Sequence, residues 1–491
     1  MANDWATFGA DLHLEPHGHG QGLREGLMNA LRDAVRSGRL AAGTRLPSSR
    51  SLAVDLGVAR NTVADAYAEL VAEGWLTARQ GSGTRVAQRS APRRPGSRAA
   101  ASRRAGPGRG GRPGGAVESV TAPPAGKPTY NLSPGTPDLA SFPRADWLKA
   151  SRKALMGAPD EAFGYGDPRG RIELRTVLAE YLARARGVYA RPERIVLCSG
   201  FVHGLMLMGQ VLRARGVREV AVESYGLDVH WDLLGRAGLK MPALPFDEQG
   251  TRTEELGARE VMGPGVGAVL LTPAHQFPTG GALQPDRRAV AVDWARAAGG
   301  LLLEDDYDGE FRYDRQPVGA LQGLDPDRVV YLGTASKSLA PGLRIAWMVL
   351  PEQLVGEVLA QKGTVDWVSS APDQLTFAEF LASGAYDRHV RAMRLRYRRR
   401  RDQLVAAVAA RSPGTRISGI AAGLHAVLEL PEGTEESVLR AAAFQGLALL
   451  GINRFRHPTV PRTRDALVVG YGTPSDSAWS GALEALCRVL P

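Results

Sequence analysis

The 491-residue sequence has only two cysteines, Cys198 and Cys487, and neither has a neighbour at metal-ligand spacing. It also has no apolar run of about 18 residues, which is the length that a transmembrane helix requires. Its N-terminal residues do not follow the basic-then-apolar order of a signal peptide. These absences argue against a disulfide scaffold, a metal site and a membrane protein, so we expect a cytoplasmic protein.

Length and charge distribution indicate more than one domain. A chain of this length exceeds one ordinary hydrophobic core. The net charge of +10 is concentrated in residues 88–128, which hold eight Arg and Lys127 against a single acidic residue, Glu118. Residues 1–87 are neutral, and the remainder carries a net charge of only +2. The positive net charge of the whole chain therefore does not by itself indicate that either flanking part binds nucleic acid.

The basic segment, residues 88–128, is rich in Arg, Gly, Pro and Ala and has no large apolar residue beyond two valines. Such a composition cannot bury enough surface to offset its ordering entropy, so we predict a disordered linker. Two hypotheses remain open for its role. It is either a passive tether or a tether that also contacts DNA phosphates.

Residues 15–87 have the pattern of a winged helix-turn-helix. Four apolar residues recur every fourth position and predict a first helix: Leu23, Leu27, Leu31 and Val35. A short helix broken at Gly57 and a second helix over residues 60–73 then predict two crossed helices. Short strands over residues 75–79 and 84–86 flank a glycine-containing turn and predict a β-hairpin wing.

Helix-turn-helix geometry places the first residues of the second helix against base edges. Arg60 suits guanine, Asn61 suits adenine, and Thr62 suits a phosphate or a base. Arg45 and Arg50 flank the preceding helix and suit phosphate contacts. The alternative is a small protein-interaction module whose arginines are merely solvated.

The head resembles the GntR family of winged-helix regulators through LPSSRSLA, GVARNTVADAY, EGWL and the glycine-containing wing. The resemblance covers nearly the whole segment and implies an α+β winged helix-turn-helix domain over residues 15–87. It also implies that double-stranded operator DNA is contacted by Arg45, Ser48, Arg50, Arg60, Asn61, Thr62 and Gly81.

Residues 129–491 alternate apolar strand segments with helical patterns. The strand segments are RIVLCSG, REVAVES, GAVLLTPAH, GGLLLEDDY and RVVYLGTAS. This alternation predicts an α/β domain with a mostly parallel sheet that is covered on both faces. Because such sheets bind ligands beyond the carboxyl ends of their strands, the residues after each strand belong to one candidate site.

Those residues form a chemically coherent set. Gly200 opens a helix whose backbone N–H groups make an anion site. Asp305 and Tyr307 follow one strand, and Lys337 follows another, with Arg344 seven residues further on. The chain has only six lysines against 55 arginines, so a lysine at a strand end is conspicuous.

This set suits pyridoxal phosphate. An amine forms a Schiff base with the aldehyde, and a carboxylate keeps the pyridine nitrogen protonated. The phenol of Tyr307 suits the ring hydroxyl, while Arg344 and the helix start suit the phosphate. Taken singly, each residue has an ordinary structural interpretation, such as a turn carboxylate for Asp305 or a surface amine for Lys337.

Residues 129–491 resemble fold-type I pyridoxal-phosphate aminotransferases. YGDPRGRIELRTVLAEYL, TPAHQFPTG and SKSLAPGLR are similar to their helix, loop and lysine motifs. The resemblance implies that Lys337 is the Schiff-base lysine, Asp305 the partner of the pyridine nitrogen and Tyr307 the contact of the ring hydroxyl. It implies further cofactor contacts from Thr334, Ser336, Arg344, Gly200, Phe201, Val202 and Gln276, and from Tyr165 across the interface of a head-to-tail homodimer.

A GntR head joined to an aminotransferase-like body is identified as the MocR subfamily, and EDDYDGEF is close to the form that those regulators carry. The resemblance implies a regulator that senses pyridoxal phosphate, or its adduct with an amino acid or amine. It suggests genes of vitamin B6 or amino-acid metabolism as targets. The alternative function is a working aminotransferase with a DNA-binding head, and a dead-site DNA-bending dimer is disfavoured because Lys337, Asp305 and Tyr307 are all present.

The sequence departs from its relatives at two places. Tyr225 stands where proline is expected in an E-x-P-x-Y run, and Leu227 stands where tyrosine is expected. Val468 occupies the position of the arginine that holds the substrate carboxylate in aminotransferases. Loss of this clamp argues against efficient transamination and against a GABA sensor. Four nearby arginines are candidate replacements: Arg454, Arg456, Arg462 and Arg464.

A second basic stretch, residues 388–404, invites another DNA-binding interpretation. His389, Met393 and Tyr397 lie four residues apart and form one inward face of a helix. We therefore expect an ion-paired helix that links two parts of the body.

Overall fold

The computed structural model describes residues 23–36, 40–41, 43–79, 83–87, 128–258, 265–313, 319–363 and 369–491. The wing residue Gly81 and almost all of the predicted linker, residues 88–127, lie outside these ranges. No helix within them is long and apolar enough to cross a membrane.

The head is a winged helix-turn-helix, as predicted. Its elements are α1 (Leu23–Arg36), α2 (Ser49–Leu56), α3 (Arg60–Ala72), β1 (Leu76–Arg79) and β2 (Gly83–Val86). Gly57 ends α2 with a φ of 64°, a left-handed conformation that glycine adopts without steric cost. The strands pair in antiparallel register from Leu76–Val86 to Arg79–Gly83 and form the wing.

The body is built on a seven-stranded sheet. In chain order its strands are β4 (Ile195–Cys198), β5 (Glu219–Glu223), β6 (Ala243–Leu244), β9 (Val266–Leu271), β10 (Leu301–Asp306), β11 (Val329–Thr334) and β12 (Ala346–Val349). Their order across the sheet is β4-β12-β11-β10-β9-β5-β6. Only β12 runs against the others, since it pairs antiparallel with both β11 and β4. The predicted mostly parallel sheet is thus confirmed.

Helices cover this sheet. They are α4 (Arg144–Gly157), α5 (Ile172–Arg186), α6 (Phe201–Ala214), α7 (Asp228–Arg236), α8 (Pro285–Ala298), α9 (Glu352–Lys362) and α10 (Ala371–Ala382). Two separate apolar clusters, one around Trp347 and Phe377 and one around Met208 and Val222, fill the space between helices and sheet. All four side chains of β4 are buried, as expected of a strand covered on both faces.

A smaller sheet follows a long helix, α11 (Ala385–Arg411). The strands of this sheet are β13 (Ile417–Ser418), β14 (His425–Leu430), β16 (Leu450–Gly451) and β17 (Asp465–Gly470). Two helices belong to the same part of the chain: α12 (Glu435–Phe444) and α13 (Asp476–Val489). The strand order is β13-β14-β17-β16, with antiparallel neighbours. Two short pairs complete the body: β3 (Tyr130–Asn131) with β15 (Leu447–Ala448), and β7 (Phe246–Asp247) with β8 (Gly250–Thr251).

The basic stretch 388–404 lies within α11 and is bonded into the body. Arg400 is buried, and its Nη2 lies 3.0 Å from Asp138 Oδ2 and 2.6 Å from Asp476 Oδ1. Arg394 donates to the carbonyl of Glu310. These contacts support the interpretation of an ion-paired structural helix.

A buried ion pair within the head lies where the head packs against the body. Arg32 Nη2 lies 2.5 Å from Glu73 Oε1, and each residue is 5% exposed. Two glycines of the body lie against the pair: a Cβ on Gly319 would fall 2.5 Å from Glu73 Cγ, and one on Gly187 would fall 3.3 Å from Arg32 Nη2. Leu324 of the body shares an apolar cluster with the head helices. The head therefore docks by close packing that only small residues permit.

We expect Gly319→Val to weaken this docking. The added side chain would overlap Glu73, and overpacking of a filled site costs about 1–3 kcal/mol. Hydrogen exchange of the α1 and α3 amides should accelerate, while the amides of β10 stay protected. Gly414→Val is the matched control because a Cβ there meets nothing within 4 Å. Unchanged protection of α1 and α3 would show that Gly319 is not a docking determinant.

Candidate functional site

A cavity of about 590 Å³ lies at the carboxyl ends of the large-sheet strands, and residues of the small sheet close its other side. Its position is the one expected for a ligand site in a parallel sheet. Eight of the eleven predicted cofactor-site residues line it: Phe201, Val202, Asp305, Tyr307, Thr334, Ser336, Lys337 and Arg344. They come from the ends of β10 and β11, the start of α6 and the turn before β12.

Asp305 and Lys337 place a carboxyl group and an amine in this cavity. Burial raises the pKa of the Asp305 carboxyl well above its usual range, and Lys337 opposes that shift. The Oδ1 atom of Asp305 is buried and has no hydrogen-bond partner among the described residues. An ionised carboxylate left in this way is costly unless a positive group reaches it. A protonated pyridine nitrogen is such a group, so the carboxylate fits the implied cofactor.

Lys337 follows β11, and its Nζ donates to the carbonyl of Gly135 at 2.6 Å. Burial lowers the pKa of this ammonium, while Asp305 and Asp308 act in the opposite direction. A lowered pKa leaves more of the amine unprotonated near neutral pH, and that is the form that reacts with an aldehyde. The site therefore combines a reactive amine with a buried carboxylate.

At the other end of the cavity, Gly200, Thr334, Ser336 and Arg344 form a group that can bind an anion, which we call the anion cradle. Gly200 precedes the first residue of α6 and has a φ of 92°. Arg344 Nη2 donates to the carbonyl of Ser199 at 2.5 Å, and a Cβ on Gly200 would come within 2.5 Å of the guanidinium carbon. Thr334 Oγ1 and Ser336 Oγ lie 2.8 Å apart beside it. Guanidinium, hydroxyls and helix N-terminus are the donors that a phosphate requires.

A histidine that the sequence analysis missed lies behind Tyr307. His275 Nδ1 lies 2.9 Å from Asp308 Oδ2 and 3.1 Å from the Tyr307 hydroxyl. Burial raises the pKa of the Tyr307 phenol well above its usual range, and Asp308 and Asp305 add to this, so the phenol keeps its proton. The acidic run EDDYD was the available signal for Asp308, whereas nothing local linked it to His275.

His275, Asp308 and His425 also form a group whose ligand atoms lie within 4.8 Å of one another. Hydrogen bonds already engage this group: His275 with Asp308, and His425 Nε2 with the carbonyl of Pro278 at 3.0 Å. Within this group, His275 supports Tyr307 through its hydrogen bond with the phenol.

Three predicted residues lie away from the cavity wall. Gln276 donates to Glu223 at 2.7 Å and to Thr251 at 2.6 Å, so it lies behind Glu223, which lines the cavity. Tyr165 is fully exposed on the surface of the body. Gly200 contributes through its lack of a side chain, as described above.

The residues at the first sequence departure line the cavity, whereas Val468 at the second is buried in the apolar cluster that contains Tyr225 and Phe455. Tyr225 and Leu227 contribute to the cavity wall, together with His230, which the sequence analysis also missed. The ring of His230 lies 4.7 Å from that of Phe201, centroid to centroid. Burial lowers the pKa of His230 to about 4, and Lys337 adds to this, so the ring is neutral at pH 7.

None of the four candidate replacement arginines lines this cavity. Each is bonded elsewhere: Arg454 to Asp228, Arg456 to the carbonyl of Val460, Arg462 to Asp465 and Glu436, and Arg464 to Glu429. No guanidinium among these four therefore lines the cavity in place of the arginine that is missing at position 468.

The DNA-reading end of the head is exposed. Arg60 and Asn61 are exposed at the start of α3, and Thr62 is half-buried. Arg45 and Arg50, which are expected to contact phosphates, are exposed as well. The predicted DNA contact Ser48 is exposed as well and also caps α2, since its Oγ accepts from the N–H of Ser51 at 3.1 Å.

Family models match both parts of the chain. Residues 23–86 match the bacterial regulatory proteins of the gntR family, and residues 127–465 match aminotransferase class I and II. An archaeal alanine:glyoxylate aminotransferase is 25% identical with a TM-score of 0.67, covering 74% of this chain and 90% of its own. The kynurenine aminotransferase of Pyrococcus horikoshii has the same fold, with 24% identity, a TM-score of 0.66 and coverage of 74% and 91%.

Regulators match over most of their length. The pyridoxine biosynthesis transcriptional regulator PdxR of Corynebacterium glutamicum is 32% identical, covering 91% of each chain. The probable rhizopine catabolism regulatory protein MocR of Rhizobium meliloti is 31% identical, covering 91% of this chain and 89% of its own. The chain therefore belongs to the MocR subfamily of GntR transcription regulators, in which a winged helix-turn-helix head is joined to an aminotransferase-like body.

Proposed function

We propose that this regulator binds pyridoxal phosphate in the body cavity and that the occupied site changes how the head binds operator DNA. The observation that carries the proposal is the buried, unpartnered Oδ1 of Asp305 in the same cavity as Lys337. The name of the C. glutamicum relative, a regulator of pyridoxine biosynthesis, supports vitamin B6 as the signal.

The chain's own residues would divide the binding task. Lys337 would supply the amine that bonds to the aldehyde, and the Asp305 carboxylate would hold a proton on the pyridine nitrogen. Tyr307 would donate its phenol proton towards the ring hydroxyl, supported by His275. Arg344, Thr334, Ser336 and the start of α6 would bind the phosphate. The bound cofactor would supply an electrophilic carbon and an electron-withdrawing ring.

A head-to-tail homodimer is part of the proposal. Tyr165 is fully exposed, which suits a side chain that completes a partner's cofactor site. Two heads would then read two half-sites of one operator, as dimeric helix-turn-helix proteins do. Arg60 and Asn61 would read bases, while Arg45 and Arg50 would contact phosphates.

The proposal is tested by measuring affinity for operator DNA with and without pyridoxal phosphate. Coupling between two sites typically changes affinity by about 5- to 150-fold, and the DNA must change the cofactor affinity by the same factor. Identical DNA affinities at saturating cofactor would refute sensing. A working aminotransferase is the alternative, because Lys337, Asp305 and Tyr307 share one cavity. Steady amino-group exchange between an amino acid and a keto acid would support that alternative.

We expect Gly200→Ala to weaken binding of pyridoxal phosphate by about 10- to 100-fold. The new Cβ would displace the Arg344 guanidinium, and a charge-assisted hydrogen bond is worth about 1.5–3 kcal/mol. Gly216→Ala is the matched control, since its φ of 85° imposes similar backbone strain while a Cβ there meets nothing within 4 Å. Equal cofactor affinities of the two variants would show that Arg344 does not bind the phosphate.

The linker hypotheses are separated by salt dependence. If the arginines of residues 88–128 neutralise DNA phosphates, changing all eight to glutamine should flatten the slope of log affinity against log salt. The expected change in slope is ~0.9 for each phosphate that is no longer neutralised. Base preference should survive, because phosphate contacts carry no direct sequence information. Coincident slopes would leave the linker as a passive tether.

A further inference from the structure

We propose that the ligand which reacts at Lys337 is a primary amine with an apolar body and no carboxylate. This inference rests on the proposed function, since it requires bound pyridoxal phosphate, and it specifies the class of the second ligand. It is carried by two features of the cavity: what its wall is made of and which charges face it.

Beyond Lys337 the cavity is bounded by an apolar wall, formed by Tyr225, Leu227, Phe277, Leu449, Leu450 and Phe455. Rings and aliphatic chains make up this wall, and it continues to Leu439 and Ala443 of α12. Burial of apolar ligand surface against such a wall is favourable in proportion to the area that is removed from water. This part of the cavity wall therefore favours a ligand with a hydrocarbon body.

The position of the missing arginine is part of this apolar region. Val468 in β17 pairs directly with Leu450 in β16, so both side chains lie on the same face of the small sheet. Val468 is fully buried and clusters with Tyr225 and Phe455. A carboxylate that approached this position would lose its hydration and find a hydrocarbon surface in place of a guanidinium.

The remaining charges do not compensate. Among the described lining residues, Lys337 and Arg344 are the basic ones apart from two histidines. Lys337 would be engaged with the aldehyde, and Arg344 lies in the anion cradle beside Gly200. Burial lowers the pKa of His230 to about 4 and that of His425 well below its usual range, so both are neutral near pH 7.

Two acidic residues, Asp305 and Glu223, also line the cavity, and neither can supply a positive partner for a ligand carboxylate. Burial raises the pKa of the Glu223 carboxyl, which its hydrogen bonds to Thr272, Gln276 and Thr251 oppose. A ligand carboxylate would therefore lose its hydration in the cavity without gaining an ion pair that compensates for the loss.

The reaction consumes neither water nor electrons. With the cofactor bound, the ligand's amine would take the place of the Lys337 amine on the aldehyde carbon. The two protons that the ligand's nitrogen loses would pass to Nζ, so Lys337 would be released as a free amine. The ligand keeps all of its other atoms, so binding is reversible and suits a signal.

The test uses the full-length protein loaded with pyridoxal phosphate and two matched ligand pairs. 3-Methylbutylamine differs from leucine, and 2-phenylethylamine from phenylalanine, only by the carboxylate. Each ligand is titrated while the absorbance of the bound cofactor is followed. Each affinity is divided by that ligand's affinity for free pyridoxal phosphate at the same pH, which removes differences in amine basicity.

We expect each amine to exceed its amino acid by at least about tenfold on this normalised scale. Equal values, or a preference for leucine, would overturn the inference. A cation supplied by a partner subunit would produce the same result and would overturn it as well. A protein that never acquires a cofactor band would instead refute the proposed function, so the two failures are distinct.

Leu450→Arg places a cation on the cavity wall next to Val468 and should shift the ratio towards leucine by at least about tenfold. Leu450→Met is the matched control and should retain the wild-type preference. An unchanged ratio in a folded, cofactor-loaded Leu450→Arg protein would also contradict the inference. If that variant does not fold, the wild-type ratios decide the matter.

Discussion

Lys337→Ala should abolish the visible absorbance band that appears when the wild-type protein is mixed with pyridoxal phosphate. Lys337 is the amine that lies in the cavity with Asp305, and burial lowers its pKa towards the reactive, unprotonated form. Among the lysines that the structure describes, Lys337 alone lines the cavity. Reduction with borohydride should trap the cofactor on the Lys337 peptide of the wild type, and the variant should show no comparable labelling of any peptide.

Surface lysines also react weakly with aldehydes, so the experiment needs a lysine control. Lys149 is exposed on α4, outside the cavity, and Lys149→Ala should keep the full band. The Asp305 carboxylate and the anion cradle remain in Lys337→Ala, so this variant should still bind the cofactor without a covalent bond. Equal trapping in wild type and Lys337→Ala would place the reactive amine elsewhere and refute the assignment.

Arg60→Ala should reduce affinity for the operator far more than affinity for random DNA. Arg60 is the first residue of α3 and is exposed, and docking of the head onto the body leaves it accessible. Removal of a bidentate hydrogen bond to guanine costs ~1–3 kcal/mol, or about 5- to 150-fold in specific affinity. The measurement is binding to both DNAs at one fixed salt concentration.

Arg50→Ala is the matched control for this prediction. Arg50 is exposed on α2 and is expected to contact phosphate. Its removal should weaken binding to operator and random DNA about equally and reduce the salt slope by about one. If Arg60→Ala behaved in the same way as Arg50→Ala, Arg60 would be a phosphate contact and the bases would be read by other residues.

Local patterns were sufficient for most of the head. The spacing of Leu27 and Leu31, the break at Gly57 and the inward positions of Val63 and Tyr67 each predicted what the structure has, because all depend on helix periodicity or on one turn. Leu23, which the same spacing placed in the apolar stripe, is instead exposed at the start of α1. The predicted bounds differ from the observed ones by about one residue, as expected where helix ends fray.

The order of strands along the chain was also enough to assign most of the cofactor-binding residues to one site. Asp305 and Lys337 could be assigned to one site because β10 and β11 are parallel neighbours whose carboxyl ends meet at one edge. Gln276 could not be placed in this way. Its amide is held by Glu223 and Thr251, which are 53 and 25 residues away in the chain.

The sequence alone thus determined the element types, the parallel sheet and the chemical groups that follow its strands, since these depend on periodicity and strand polarity. Only the tertiary structure decided that His275 supports Tyr307, that Glu73 of the head packs on Gly319, and that the four candidate arginines are bonded elsewhere. Each of these facts is a contact between segments far apart in the chain. Such contacts are set by how helices and sheets pack together, and no local pattern of residues encodes them.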